Sequence, residues 1–293
     1  MKKVLITGGD GFLAKSFKEY LNVDYEVVSC NRSSLDLNDS SSVASFLKQH
    51  QFDIVIHTAT YDAAPKNSLK EHAKVLESNL RMFFNLARCN DDFGKMFYFG
   101  SGAEFNRDNW IPKMAESYFD IHVPTDQYGF SKYLMTKHAE ASHNIFNLRL
   151  FGVFGQYDDW RYRFISNACC HAVMKMPIHV HNNAIADFLY IDDLARIVHW
   201  FIENKPKRQT YNVCSGHAYE YIELAKMISE ITNHSIDVTV NNQKADKNYS
   251  GDNSLLLEEL GDFEFTLMPK SLEYLYNWYE SHQHIIDARE FHF

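Results

Sequence analysis

Short apolar runs alternate with stretches of helical periodicity through the first half of the chain. Residues 4–7 form an apolar run that meets glycines directly, as a parallel strand buried on both faces does. Residues 12–21 then place apolar side chains at helical spacing. The alternation repeats, with strands predicted over 25–30, 52–58, 95–101 and 147–151, and helices over 40–49, 71–88 and 127–142. Strands alternating with helices predict a parallel sheet covered by helices on both faces and joined by right-handed crossovers.

Beyond residue 155 the rhythm loosens. Helices are expected over 163–176, ending before Pro177, and over 192–204, 219–232 and 271–284. Short strands are expected over 179–181, 188–191, 211–213 and 237–240. The Asp192-Asp193 pair in the first turn of its helix suits the helix dipole. No internal repeat, linker or low-complexity tract interrupts the chain.

Length and composition narrow the classes. A chain of 293 residues with 45% hydrophobic residues can bury a large core and a smaller one. A net charge of −9 and the lack of a basic run argue against nucleic acid as a partner. The five cysteines (Cys30, Cys89, Cys169, Cys170 and Cys214) are odd in number and form no C-x-x-C pair, which favours reduced thiols in a reducing compartment. The apolar run near residue 4 is too short for a secretory core, and no stretch reaches the length of a bilayer span. A cytoplasmic protein with no membrane partner is the expectation.

The segment from Val4 to Ala14 reads strand, glycine turn, helix. Gly8 supplies the tight turn, Gly11 leaves room for a pyrophosphate, and Ala14 is small enough for helix–strand packing. The pyrophosphate would sit at the helix N-terminus, where free amides and the dipole favour anions. This context predicts a nucleotide cofactor, and the fold class becomes α/β: a Rossmann-type doubly wound parallel sheet with a smaller, mixed α/β C-terminal substrate domain. Residues 1–155 would form the dinucleotide-binding domain, completed by strands near 185–215, with 156–293 mainly the substrate domain. At the end of the second strand, where NAD sites carry an acid for the ribose 2′-hydroxyl, the chain reads Asn31-Arg32. The missing carboxylate and an arginine able to pair with a 2′-phosphate favour NADP, with NAD still possible. Asp36, followed by Leu37, is a candidate acceptor for the adenine amine.

Tyr128 and Lys132 stand at i and i+4 and face the same way on a helix. An ammonium beside a phenol favours the phenolate, so Lys132 is expected to lower the Tyr128 pKa. With the glycine turn, His57-Thr-Ala-Thr60, Asn79, Ser101, Arg149-Leu-Phe-Gly152, Asp187-Phe188 and Tyr211-Asn-Val213, the chain resembles the extended short-chain dehydrogenases/reductases that modify nucleotide-activated sugars. The resemblance implies roles. Tyr128 would be the proton donor or acceptor, Lys132 would bind the nicotinamide ribose, and Ser101 would hydrogen-bond the substrate oxygen. Thr7, Gly8, Gly11, Phe12, Leu13, Asn31, Arg32, Asp36, Leu37, Ala59, Thr60, Asn79 and Phe151 would meet the cofactor. Ser101, Gly102, Arg163 and Asp187 would meet the sugar nucleotide.

Departures from subfamily patterns sort the reaction. The family's dehydratases place Asp-Glu after the catalytic Ser/Thr, and its GDP-fucose synthases place a cysteine two positions on, with a distant histidine. This chain has Gly102-Ala103 there and Tyr162-Arg163-Phe164 where the histidine is expected. A reductase of a nucleotide-linked 4-keto-6-deoxy sugar is favoured over a 4-epimerase with retained NAD. A non-catalytic nucleotide-binding regulator is the reading from another class, against which the Ser101, Tyr128 and Lys132 set argues. Among Arg149, Arg161 and Arg163, the last is favoured for the diphosphate because it opens a helix. His179 and His181 read as ordinary strand residues, so no metal is expected. The resemblance also implies a homodimer that packs the helices near 71–88 and 127–142 into a four-helix bundle.

Overall fold

The computed structural model describes residues 1–62, 70–232, 234, 236–245 and 247–291. Its large sheet uses β1 (Lys3–Thr7), β2 (Glu26–Cys30), β3 (Phe52–His57), β4 (Phe93–Ser101), β5 (Ile145–Leu150) and, much later in the chain, β9 (Thr210–Val213). The six strands run parallel in the order β2-β1-β3-β4-β5-β9. The order reverses between β1 and β3, so the crevice beyond their carboxyl ends is where such a sheet takes a ligand.

Helices α1 (Phe12–Leu21), α2 (Ser40–His50), α3 (Val75–Ala87), α4 (Gln127–Glu140) and α6 (Ile191–Glu203) cover the sheet. Strand side chains alternate between two cores. Val4, Ile6, Ile54, Ile56 and Phe97 meet α1 and α6, while Leu5, Val55, Met96 and Tyr98 meet α2, α3 and α4. Local chemistry sets the helix ends. Asp39 caps α2 by accepting from the Ser41 and Ser42 amides, and Gln51 stops it in the left-handed region at φ 49°. The helix predicted from residue 71 begins at Val75, after one tighter turn over His72–Lys74.

The rest of the chain packs at the carboxyl end of this sheet. β6 (Gly152–Phe154), β8 (Ile185–Tyr190), β10 (Ala218–Glu220) and β12 (Asn248–Tyr249) form a four-stranded sheet centred on β8. β7 (Ile178–Asn182) pairs with β11 (Val238–Asn242). α5 (Phe164–Val173), α7 (Tyr221–Ile231) and α9 (Met268–Ser281) pack together, and α8 (Ser254–Leu260) lies against β9. The short strands β6, β10 and β12 have no counterpart in the sequence reading, because two or three residues carry no measurable period, and the seven-residue α8 has none either. Among the described residues, no helix is long and apolar enough to cross a membrane.

Candidate active site

The turn after β1 is built for glycine. Gly8 lies at φ +71°, and a Cβ there would sit 2.8 Å from the Ala59 Cα. The Gly11 amide closes the turn on the Gly8 carbonyl at 2.9 Å. Gly11 caps α1 without any side-chain hydrogen bond, so the first-turn amides stay available to an anion. Two clefts meet at this turn. One, of about 980 Å³, lies between the turn, residues 31–38 and α3. The other, of about 1040 Å³, runs over Phe12, Leu13 and Phe151 to Ser101, Tyr128 and Lys132. Asp10, Gly11, Thr58 and Thr60 line both, so a dinucleotide laid across the turn would reach from one to the other. A cradle that only glycine fits, an uncapped helix start and a cleft on either side suit a nicotinamide dinucleotide.

In the first cleft Asn31, Arg32, Asp36, Leu37, Ala59 and Thr60 all form the wall. The Arg32 side chain is 83% exposed and stands 3.8 Å from Asp36. Asp36 also accepts from the backbone and side-chain amides of Asn38, which holds its carboxyl below the usual range. The Asn31 side-chain Oδ1 accepts from the Ser33 and Ser34 amides, and its Nδ2 donates to Asp10. Two residues expected at the cofactor face elsewhere. Thr7 is buried, with its hydroxyl 2.9 Å from His57 Nδ1. Asn79 is buried too, and its amide is spent on the Tyr61 backbone and on Ser131. Both residues brace the wall instead of lining it.

Ser101 ends β4 and caps the turn Gly102–Phe105. Its Oγ accepts from the Ala103 amide at 3.2 Å, and its own amide donates to Glu104 Oε1 at 2.9 Å. Glu104 is fully buried, and its other oxygen accepts from Thr136, Asn147 and Arg149. Tyr128 and Lys132 share one face of α4, with Lys132 Nζ 5.7 Å from the Tyr128 ring centroid. Nζ donates to the Phe99 carbonyl at 2.7 Å. Burial pushes the lysine down to about 8, against the opposing pull of Glu104 and Asp62.

The expected lowering of the Tyr128 pKa by Lys132 does not occur in this structure. Burial raises it, Asp62 and Tyr249 add to the rise, and Arg107 and Arg163 oppose it. Tyr128 is therefore a protonated phenol. His57 lines the same cleft with Nε2 unpaired, and burial, with Lys132 nearby, lowers its pKa to about 3.

Sequence reasoning missed two residues here. Arg107 lies 5.9 Å from the Tyr128 ring centroid and 5.5 Å from that of Trp110, and pairs with Asp126 at 3.3 Å. Tyr249 places Oη 3.3 Å from Ser101 Oγ. Both come from irregular or two-residue segments, and no spacing marks them.

The substrate candidates divide. Arg163 caps α5, lines the larger cleft and keeps a 63% exposed side chain 4.0 Å from Asp158. Burial pushes the Asp158 carboxyl up to about 6. Asp187 is a correction. It is fully buried, and its carboxylate accepts from the Ser215 amide and hydroxyl and the Gly216 amide, tying the end of β9 to β8. Gly102 is another. It lies outside the cleft wall, where a Cβ would strike Tyr249 at 2.5 Å and Phe151 at 2.8 Å. Arg149 is fully buried on Glu104, and Arg161 pairs with Asp159 and Glu290, so neither is free for a diphosphate. His179 sits beside Thr239, and no group of three or more His, Cys, Asp or Glu able to hold a metal occurs among the described residues.

The chain matches the model of the "NAD dependent epimerase/dehydratase family" over residues 4–214. It is 24% identical to the GDP-6-deoxy-D-talose 4-dehydrogenase of Aggregatibacter actinomycetemcomitans, over 94% of this chain and 97% of that one. It is also 24% identical to an ADP-L-glycero-D-manno-heptose-6-epimerase of Brachyspira hyodysenteriae, over 78% and 80%. The fold is similar to the crystal structure of a GDP-L-fucose synthetase from Naegleria fowleri bound to NADP, with a TM-score of 0.85, 17% identity and coverage of 97% and 94%.

Proposed function

Because the chain belongs to the NAD dependent epimerase/dehydratase family, we propose that it is an NADP(H)-dependent reductase acting at C4 of a nucleotide-linked 4-keto-6-deoxy sugar. The observation that carries this reading is the placement of Tyr128, a half-buried phenol 5.7 Å from Lys132 Nζ at its ring centroid, in the cleft that Ser101 also lines, with desolvation favouring its protonated form. A reduction at carbon needs one proton for the new alkoxide, and such a phenol can give it. No second acid or base stands on the Ser101 turn, since positions 102 and 103 are glycine and alanine and Glu104 is consumed by its partners. A relative named as a GDP-6-deoxy-D-talose 4-dehydrogenase supports redox chemistry at C4 of a 6-deoxy sugar nucleotide, and a structural neighbour bound to NADP supports the cofactor.

A nicotinamide cofactor in the paired clefts would supply the hydride. Gly8, Gly11 and the open start of α1 would hold its pyrophosphate. Arg32 would meet the 2′-phosphate. Ser101 would donate to the C4 carbonyl oxygen, and Tyr128 would pass its proton to that oxygen as charge develops. Lys132, drawn from the Phe99 carbonyl to the cofactor ribose, would bring its ammonium to the phenol and ease the proton's departure. Arg163 would take the diphosphate of the sugar nucleotide. The chain would act as a homodimer through α3 and α4, where Phe84 is left 38% exposed against His138.

The test is NADPH oxidation against a panel of GDP-, dTDP-, CDP- and UDP-linked 4-keto-6-deoxy sugars, with NADH in parallel. One sugar should consume NADPH stoichiometrically, and Tyr128→Phe should slow it by about 10²–10⁴-fold without changing Tm. Interconversion of 4-hydroxy epimers with no net oxidation would overturn the reductase and establish an epimerase.

A further inference from the structure

The chain that carries Ser101 runs on, after the turn Gly102–Phe105, into a second tight turn over Arg107–Asn109. The Asn106 side chain fixes that turn, accepting from the Asp108 amide at 3.3 Å and donating to the Asn109 side chain at 3.0 Å. Trp110 follows, and its indole N–H donates to the Gly102 carbonyl at 3.0 Å, which folds the segment back onto the Ser101 turn. Arg107 is held by three neighbours. Its Nε stands 3.3 Å from Asp126 Oδ2, and its Cζ lies 5.5 Å from the Trp110 ring centroid and 5.9 Å from that of Tyr128. Asp126 is itself anchored, because its Oδ1 caps α4 by accepting from the Gly129 amide at 2.8 Å.

A cation so placed acts on the phenol. Among the described residues, charged and titratable groups reach Tyr128 from its own helix (Lys132), from beyond β3 (Asp62), from β12 (Tyr249), from ahead of α5 (Arg163) and from the Arg107 turn. Burial, Asp62 and Tyr249 keep the proton on the phenol, while Arg107 and Arg163 favour its loss. The three cations differ in what a ligand does to them. The diphosphate of a sugar nucleotide would cancel the charge of Arg163. Lys132 acts only once it is drawn from the Phe99 carbonyl. Arg107 stands outside the wall of the larger cleft, so a ligand in that cleft neither brings it nor takes it.

We propose that Arg107 is a positioning residue that acts through Tyr128, its fixed guanidinium stabilising the negative charge that the phenol takes on as it gives up its proton. This rests on the role of Tyr128 as the acid in the function proposed above. In that step the Tyr128 O–H bond breaks and its proton joins the C4 oxygen as C4 takes the hydride of NADPH. The phenolate that remains recovers a proton from solvent. Charge that develops beside a cation already in place needs no reorganisation at the moment of reaction. An opposite charge within about 4–6 Å favours ionisation by about 1–3 pH units. Asp126 and the 44% exposure of the side chain hold Arg107 to the low end of that range or below it.

A trifluorinated tyrosine in place of Tyr128 makes the ionisation visible by fluorine NMR without turnover, because fluorine brings the phenol's titration down to pH values at which the protein is folded. In Arg107→Met, which keeps the alkyl stem on Trp110, that titration should move up by about 0.5–1 pH unit. In Arg107→Lys, which keeps the charge, it should move by less than about half as much. With the natural tyrosine and the 4-keto sugar that oxidises NADPH in the panel, Arg107→Met should lower kcat about three- to tenfold, with KM, NADPH affinity and Tm unchanged. Arg107→Lys should recover most of the loss. In a Tyr128→Phe background, Arg107→Met should cost nothing further, since the arginine acts only through the phenol. An unmoved fluorine titration in Arg107→Met would overturn the proposal. A raised KM with unchanged kcat would also overturn it and make Arg107 a substrate ligand. If no sugar in the panel oxidises NADPH, the functional reading falls, while the fluorine titration still decides whether Arg107 acts on Tyr128.

Discussion

Arg149 and Lys132 are both buried cations near the Ser101 turn, and the fold treats them differently. Arg149 donates to Glu104 through Nε at 2.7 Å and to Asn212 through Nη1 at 3.0 Å. Its Cζ lies 4.5 Å from the Phe105 ring centroid and 5.1 Å from that of Phe119. Glu104 in turn takes hydrogen bonds from Ser101, Thr136 and Asn147. Lys132 donates to a single carbonyl among the described residues, that of Phe99, and has a lowered pKa. Beside it stand His57, with one ring nitrogen unpaired, and Tyr128. The charge is matched by a carboxylate where the turn must be rigid, though Arg149 Nη2 has no hydrogen-bond partner among the described residues, and Lys132 is held by a carbonyl where a ligand can add to it. The knot shapes the candidate site, and Lys132, His57 and Tyr128 line it.

Breaking the knot should have the largest effect. Glu104→Ala strands the Arg149 guanidinium in the core and should cost about 3–5 kcal/mol of stability in urea unfolding. A loss below about 1 kcal/mol would show that the Phe105 and Phe119 rings and Asn212 hold Arg149 by themselves. Next in size is Gly8→Ala, which meets both a left-handed φ and the Ala59 backbone at 2.8 Å. It should cost at least about 1–2 kcal/mol and weaken dinucleotide binding in isothermal titration.

Lys132→Met should invert the pattern, abolishing turnover while leaving the protein as stable as wild type, or more so by about 1 kcal/mol at pH 7. The sign follows from the pKa. Lys132 is lowered from 10.5 to about 8 in the fold, so its buried charge costs stability below pH 8. That cost fades as the pH rises from 8 through the unfolded value. The stability gap between the variant and wild type should therefore shrink between pH 8 and 10. A constant gap would mean that the Phe99 hydrogen bond, not the charge, sets the difference.

The same contrast explains what could be read from the sequence. The strands of the large sheet announce themselves because both faces are buried, and a strand such as Lys3–Thr7, buried over its last four residues, carries the continuous apolar run Val4-Leu5-Ile6. Gly8, Tyr128 and Lys132 are legible because a turn or a helix spacing fixes their geometry locally. Asp187 misled because a motif names a carboxylate without saying which way it points. Here it points at the Ser215 and Gly216 amides. Tyr249 and Arg107 were illegible because their position depends on long-range packing, with Tyr249 reaching Ser101 across 148 positions. Glu104 escaped notice for a related reason, since a lone glutamate near a turn reads as surface until Arg149 is seen behind it.

Arg32 lies at the far end of this scale and should give the smallest effect on the fold and the most selective effect on ligands. Its side chain is 83% exposed and its partner Asp36 stands 3.8 Å away, a geometry in which an ion pair contributes little. Arg32→Ala should leave Tm unchanged. If Arg32 meets the 2′-phosphate, the variant should bind NADPH about tenfold more weakly while NADH binding stays the same, and the NADPH difference should narrow as salt is added. Equal weakening of both cofactors would mean that Arg32 supports the adenosine wall and does not read the phosphate. Unchanged binding of both would move 2′-phosphate recognition to Lys74, in the turn before α3, or Arg81, on α3, which line the same cleft. In that case the selectivity would lie with residues now paired to Glu71 and Glu77, and NADPH would have to break those pairs to bind.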